Sequence, residues 1–140
     1  MDRIDMAGPL IRRLHQQSTQ VFQTQTQAAG LDLTSVQFAA LDVIAEQPGI
    51  DQAGLAAAIS FDRATIGGVI GRLEQKGFVQ RIVNDQDRRA RRLNLTPAGE
   101  RLLAASRPLV EALQADILAP LAPSERATFV TLARKALGLG

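Results

Sequence analysis

A mainly helical fold with one small β-hairpin is what this chain predicts, on three observations. Apolar residues recur at helical steps over most of its 140 residues. Only the stretch 78–95 changes period, to short runs rich in β-branched residues around a polar centre with turn-forming residues. The charge is also sorted along the sequence. Residues 63–101 hold nine basic and four acidic side chains, a net of +5, whereas the remainder holds seven basic and ten acidic, a net of −3, so that the whole is +2. One face meeting a polyanion, on a chain that must otherwise stay soluble, produces that division.

The length suits one domain with a real core and is short for two. With no cysteine, disulfides, thiolate metal sites and thiol redox sensing are excluded. A single histidine, His15, leaves little for zinc or for acid and base chemistry, and no cofactor or metal site is expected. Tyrosine is absent, no phosphate-binding glycine loop is present and no carboxylates cluster with a partner, so an enzyme is not expected. No run of about 18 apolar residues exists, and Asp2, Arg3 and Asp5 stand where a signal peptide would begin, so the expectation is a cytoplasmic protein without a membrane partner.

The elements follow in order. Ile4, Leu10, Ile11, Leu14, Val21 and Phe22 predict a long helix from Ile4 to about Ala29, ending at Gly30. Thr34 and Gln37 form a capping-box pattern that opens a second helix, which stops near Pro48 and Gly49. Asp51 is the expected N-cap of a short helix through Leu55, Ala56 and Ile59. After a turn at Ser60 and Phe61, a further helix runs from Asp62 to Lys76 and is closed by Gly77. Two short strands then flank the loop from Asn84 to Ala90. Thr96 followed by Pro97 pairs an N-cap with a first-turn proline, starting a long helix that reaches about Leu118. Pro108 lies inside it and is expected to kink or break it. Pro120 and Pro123 end it, and a last helix spans Ser124 to Leu137. Two short helices, an arginine-loaded hairpin and a capped helix, in that order, are the signature of a winged helix-turn-helix.

On the Asp62 to Lys76 helix, Ile66, Val69, Ile70 and Leu73 make the core stripe. The opposite face carries Ala64, Gly68, Gly71 and Gln75, flanked by Arg63, Thr65, Gly67 and Arg72. Three glycines in one helix cost roughly 1 kcal/mol each relative to alanine. Either small residues let the backbone approach a major groove about 12 Å wide while Arg63, Thr65 and Arg72 reach bases and phosphates, or the glycines permit close packing against another helix. In the hairpin, Arg88, Arg89, Arg91 and Arg92 crowd a tip that also holds Asp85 and Asp87. The choice of arginine throughout suits a narrow minor groove or a pair of phosphates. Asp87 is expected to hold a neighbouring arginine.

With these elements placed, the segment from Leu33 to Arg101 resembles the MarR family of bacterial transcription regulators. The resemblance rests on Leu33, Thr34 and Gln37 to Leu41, on Asp51 to Leu55, on FDRATIGGVIGRLEQKGFVQR from Phe61 to Arg81, on DQDRRARRLNLT from Asp85 to Thr96, and on Gly99. The triplet Asp87 to Arg89, followed closely by LTPAG, is among its most specific markers. The resemblance implies a single domain over 1–140, with a DNA-binding lobe at 32–96 and dimerisation helices at 1–30 and 97–140. It implies a homodimer on double-stranded, pseudo-palindromic operator DNA, usually repressing, and often released by a small aromatic or phenolic ligand. Carried over by position, it assigns the major groove to Arg63, Ala64, Thr65, Gly68 and Arg72, and the wing contacts to Arg88, Arg89 and Arg91. Many members carry Thr and Arg where this chain has Gly67 and Gly68, which thins the base-reading set.

The family's usual effector pocket lies between the first two helices and the start of the long dimer helix. Candidates facing it are Arg12, His15, Gln16, Thr19 and Phe38, with Arg12 or His15 pairing a ligand carboxylate and Phe22 and Phe38 as apolar wall. The alternative places His15 on the surface and the phenylalanines in the core. Terminal apolar residues such as Leu10, Leu14, Leu113, Ile117, Phe129 and Val130 exceed what a small lobe needs, and a second copy is their expected cover. A competing reading of the whole chain is a winged-helix module that binds protein; four wing arginines argue against it.

Overall fold

The computed structural model describes residues 5–83 and 91–140. Six helices and one hairpin follow the expected order among these residues: α1 (Ala7–Ala28), α2 (Ser35–Glu46), α3 (Gln52–Ala58), α4 (Arg63–Gln75), β1 (Val79–Val83), β2 (Arg91–Leu95), α5 (Pro97–Ile117) and α6 (Pro123–Ala136).

Side-chain caps set the helix starts. Thr34 and Gln37 exchange two hydrogen bonds of 3.1 Å, completing the capping box of α2. The Asp51 carboxylate accepts from the Gly54 amide at 2.7 Å, and the Thr96 hydroxyl from the Gly99 amide at 3.1 Å. Gly30 and Gly77, past the ends of α1 and α4, take the left-handed backbone (φ +73° and +82°) that a side chain disfavours. The axes of α3 and α4 turn through 109°. That turn is closed by the Phe61 amide on the Ala56 carbonyl and includes Ser60 at φ +59°. This is helix-turn-helix geometry.

Leu41, Ile44, Leu55, Ile66, Ile70, Leu73, Leu93 and Leu113 are fully buried and draw α2, α3, α4, β2 and α5 around one core. In α4, Ile66, Ile70 and Leu73 are buried and Val69 is half-buried, the stripe expected from its periodicity. β1 and β2 pair antiparallel with Val79 opposite Leu95 and Val83 opposite Arg91. Ile50 adds a third rung, bridging Leu93 through bonds from Gly49 and Leu93 of 2.9 Å each. This fastens the base of the hairpin to the loop before α3.

The structure refines two proline expectations. Pro108 lies within α5 and does not break it, since α5 runs unbroken from Pro97 to Ile117. A proline inside a helix costs about 3 kcal/mol through one lost rung and a ring clash. Buried Leu103, Ser106, Val110 and Leu113 hold α5 to the core on both sides of it, and that packing offsets the loss. Pro123 does not lie between helices either: it is the first residue of α6, where its missing N–H is one that no helix could have used.

Gln17 donates to the Ile117 carbonyl at 2.6 Å and Gln25 to Asp116 at 2.7 Å, tying α1 to α5. An ion pair between Arg107 and Asp42 ties α5 to α2. By contrast, α6 buries none of its 14 residues. Met6, Leu10, Ile11, Phe129, Val130, Leu132 and Leu137 are exposed apolar residues on or beside the two terminal helices.

Candidate nucleic-acid interface

The N-terminus of α4 is built around Asp62. Its carboxylate accepts from the Thr65 amide and from the Thr65 hydroxyl, both at 2.8 Å. Those two bonds, the amide bond foremost, hold the Asp62 carboxyl below its ordinary value of 3.8. They also define what Thr65 can offer a ligand. Its single hydroxyl proton is spent on Asp62, so Thr65 presents an acceptor and a methyl group, suited to a base amino group or a thymine methyl.

Since the folded-state pKa is depressed, the cap's contribution is fully present above the unfolded value and is lost as pH falls through the folded one. Acid titration followed at the Asp62 carboxyl carbon should show a midpoint below 3.8. Asp62→Asn keeps an acceptor but should remove this share of the pH dependence below about pH 4. A midpoint at or above the ordinary value would show that the cap is not ionised in the way its geometry requires.

Arg63, Ala64, Thr65, Gly68 and Arg72 are all exposed on α4. The three glycines divide. A Cβ on Gly68 or Gly71 would meet nothing within 4 Å, so these two leave bare backbone on the open face. A Cβ on Gly67 would stand 2.9 Å from the Gln52 amide nitrogen, so this glycine packs against α3.

The expected wing contacts Arg88 and Arg89, with Asp85 and Asp87, lie outside the described residues. Arg91 opens β2 and is exposed. It shares a cleft of about 320 Å³ with Arg63 and Arg81, walled by Asp51, Gln52, Ala53 and Leu93. Arg81 is partly neutralised by Glu74 at 2.7 Å. Arg92 donates to the Gly49 carbonyl at 3.1 Å, and its role is to anchor the hairpin. Gln52 and this anchoring role of Arg92 have no sequence signal, since both contacts cross between elements and show no periodicity.

The expected effector residues do not converge in one chain. A second cleft, of about 240 Å³, runs along the C-terminal half of α1 to the loop at 31–35. Thr19 lines it, with Phe22, Thr26 and Leu33. Arg12, His15 and Gln16 are exposed nearer the start of α1 and do not line it. Phe38 packs its ring against Phe22 with centroids 6.4 Å apart.

Two short helices crossing at 109°, followed by a hairpin whose arginine converges on the second of them, define a winged helix-turn-helix protein. The MarR family model matches residues 33–90. The chain is 36% identical over 125 residues to the transcriptional regulator HosA of Escherichia coli O157:H7, covering 89% of this chain and 90% of HosA. It is 34% identical over 134 residues to the HTH-type transcriptional repressor NicR of Pseudomonas putida, covering 96% and 84%. Among solved structures, Bordetella bronchiseptica BpsR, whose DNA binding is regulated by 6-hydroxynicotinic acid, superposes with a TM-score of 0.87 at 29% identity, covering 97% of this chain and 96% of BpsR. The chain belongs to the MarR family of transcriptional regulators.

Proposed function

We propose that this protein is a cytoplasmic, homodimeric, sequence-specific DNA-binding repressor released by a small aromatic or phenolic ligand, and that it is not an enzyme. The observation that carries the DNA reading is the shared cleft of Arg63 and Arg91, one from the start of α4 and one from the wing strand. A groove-docked α4 with a wing reaching toward the adjacent backbone needs basic groups on both elements facing one ligand. Residues 32–96 form the DNA lobe; 1–30 and 97–140 form the dimer.

The dimer reading is supported by α6. A helix of 14 residues is marginal on its own in water, and this one buries no residue within the chain. Its exposed Phe129, Val130 and Leu132 need cover, which a second copy supplies. The ligand reading is supported by BpsR's response to a hydroxylated aromatic acid. Such a ligand would act by shifting the spacing of the two recognition helices, which must match half-sites about one helical turn apart.

The test is binding to DNA upstream of the protein's own gene at several salt concentrations, beside a scrambled duplex, with the mass of the free protein taken by light scattering. A discrete protected site, affinity falling linearly with salt on logarithmic axes, and twice the protomer mass are expected. Adding hydroxylated aromatic acids should weaken that complex. Equal, weak binding to both duplexes would hand the chain to the protein-interaction reading.

A further inference from the structure

Gln52 is the first residue of α3 and Arg63 the first of α4. The Gln52 carboxamide donates to the Arg63 carbonyl at 3.0 Å. Only the NH2 end of the amide can meet a carbonyl, which fixes its orientation. One turn further along α4 lies Gly67, where a Cβ would stand 2.9 Å from that same nitrogen. Residues four apart lie above one another on a helix face. The amide therefore sits in a slot that has a carbonyl at one end and a missing side chain at the other.

We propose that Gln52 and Gly67 form an interhelical clamp that fixes the placement of α4, making Gln52 a positioning residue for operator discrimination. The proposal rests on the DNA-binding reading above. The acceptor is the backbone of Arg63 itself, the first arginine of the exposed face, so the clamp acts where a small shift matters most. Base-edge contacts tolerate about half an ångström of displacement, whereas contacts to the flexible phosphate backbone tolerate more. Buried Leu55 and Ile66 hold the two helices in the core, and the clamp adds a tie between the first residue of α3, a helix of only seven residues, and the first residue of α4. The clamp also explains why Gly67 differs from Gly68 and Gly71, which face open space.

The experiment compares wild type with Gln52→Ala, Gln52→Met, Gly67→Ala and the Gln52→Ala/Gly67→Ala double variant. Each is measured for affinity to the operator, for affinity to a scrambled duplex of equal length, and for its melting temperature. Gln52→Met keeps the length of the side chain and loses its donors. Each single variant should lower the ratio of operator to scrambled affinity roughly five- to tenfold, with scrambled affinity unchanged. The double variant should be no worse than Gln52→Ala, because alanine at 67 acts by displacing an amide that is no longer there. In that background Gly67→Ala should also raise the melting temperature, since alanine is the better helix former. A merely structural contact would lower both affinities together with the melting temperature, and the two substitutions would add. An unchanged ratio in Gln52→Ala and Gln52→Met, or additive losses, would overturn the clamp alone. A wild type that does not distinguish the two duplexes would overturn the DNA-binding reading and the clamp with it.

Discussion

Gly99→Ala is expected to destabilise the protein by about 3–5 kcal/mol, through a steric overlap with backbone and the bonds it disrupts. Gly99 sits in the first turn of α5, and a Cβ there would lie 2.1 Å from the Phe78 carbonyl oxygen and 3.0 Å from its carbon. Those atoms cannot rotate away. The same carbonyl accepts from the Thr96 amide at 3.0 Å, while the Thr96 hydroxyl bonds the Gly77 carbonyl at 2.6 Å and accepts from Gly99. Relief of the overlap must therefore pull the start of α5 off the start of β1 and break that bonded corner. Denaturant unfolding at one fixed protomer concentration measures the loss, since the stability of the proposed dimer would depend on concentration. Gly71→Ala is the matched reference: its Cβ meets nothing, and it should gain about 0.5–1 kcal/mol from helix propensity. A midpoint for Gly99→Ala indistinguishable from wild type would mean that the corner yields cheaply and does not fix α5.

Arg63→Ala should weaken operator binding by about thirtyfold or more while leaving folding intact. One arginine contact to a base edge contributes about 1–3 kcal/mol, and the proposed homodimer would carry the substitution twice. Arg63 opens α4, where the helix dipole disfavours a cation, so its removal should leave the melting temperature level or slightly raised. That sign separates lost recognition from lost structure. Arg63 shows no acidic partner among the described residues, unlike Arg81, which Glu74 holds. Titration against operator and scrambled duplexes reads the effect; a loss smaller than threefold on the operator would remove Arg63 from the recognition set.

The parts of this fold that were legible in sequence are those governed by neighbours along the chain. Thr34 with Gln37, Asp51, and Thr96 before Pro97 mark helix starts because a cap bonds an amide two or three residues on. Gly30 and Gly77 mark ends because the backbone there turns left-handed. The α4 stripe of Ile66, Ile70 and Leu73 is legible because burial repeats with the helix period. The unbroken run of α5 through Pro108 is not legible for the opposite reason: local chemistry alone allows a break there, and packing of residues on either side prevents it. Helix periodicity sets Gly67 on a flank and Gly68 and Gly71 on the open face, but it does not show that the Gln52 amide fills the space beside Gly67, nor that Arg92 bonds the Gly49 carbonyl. Likewise, Arg12, His15 and Gln16 share a helix with Thr19, but only Thr19 lines the α1 cleft.

By itself, then, the sequence determined the order and ends of the helices, the basic third of the chain and the family, because capping, periodicity and charge are short-range or additive properties. Only the tertiary structure decided which arginine faces open space and which anchors the wing, which glycine is a packing slot, and which ends of α3 and α4 are tied together. Those outcomes depend on atoms many residues apart arriving within about 3 Å of one another, a distance that no local pattern encodes.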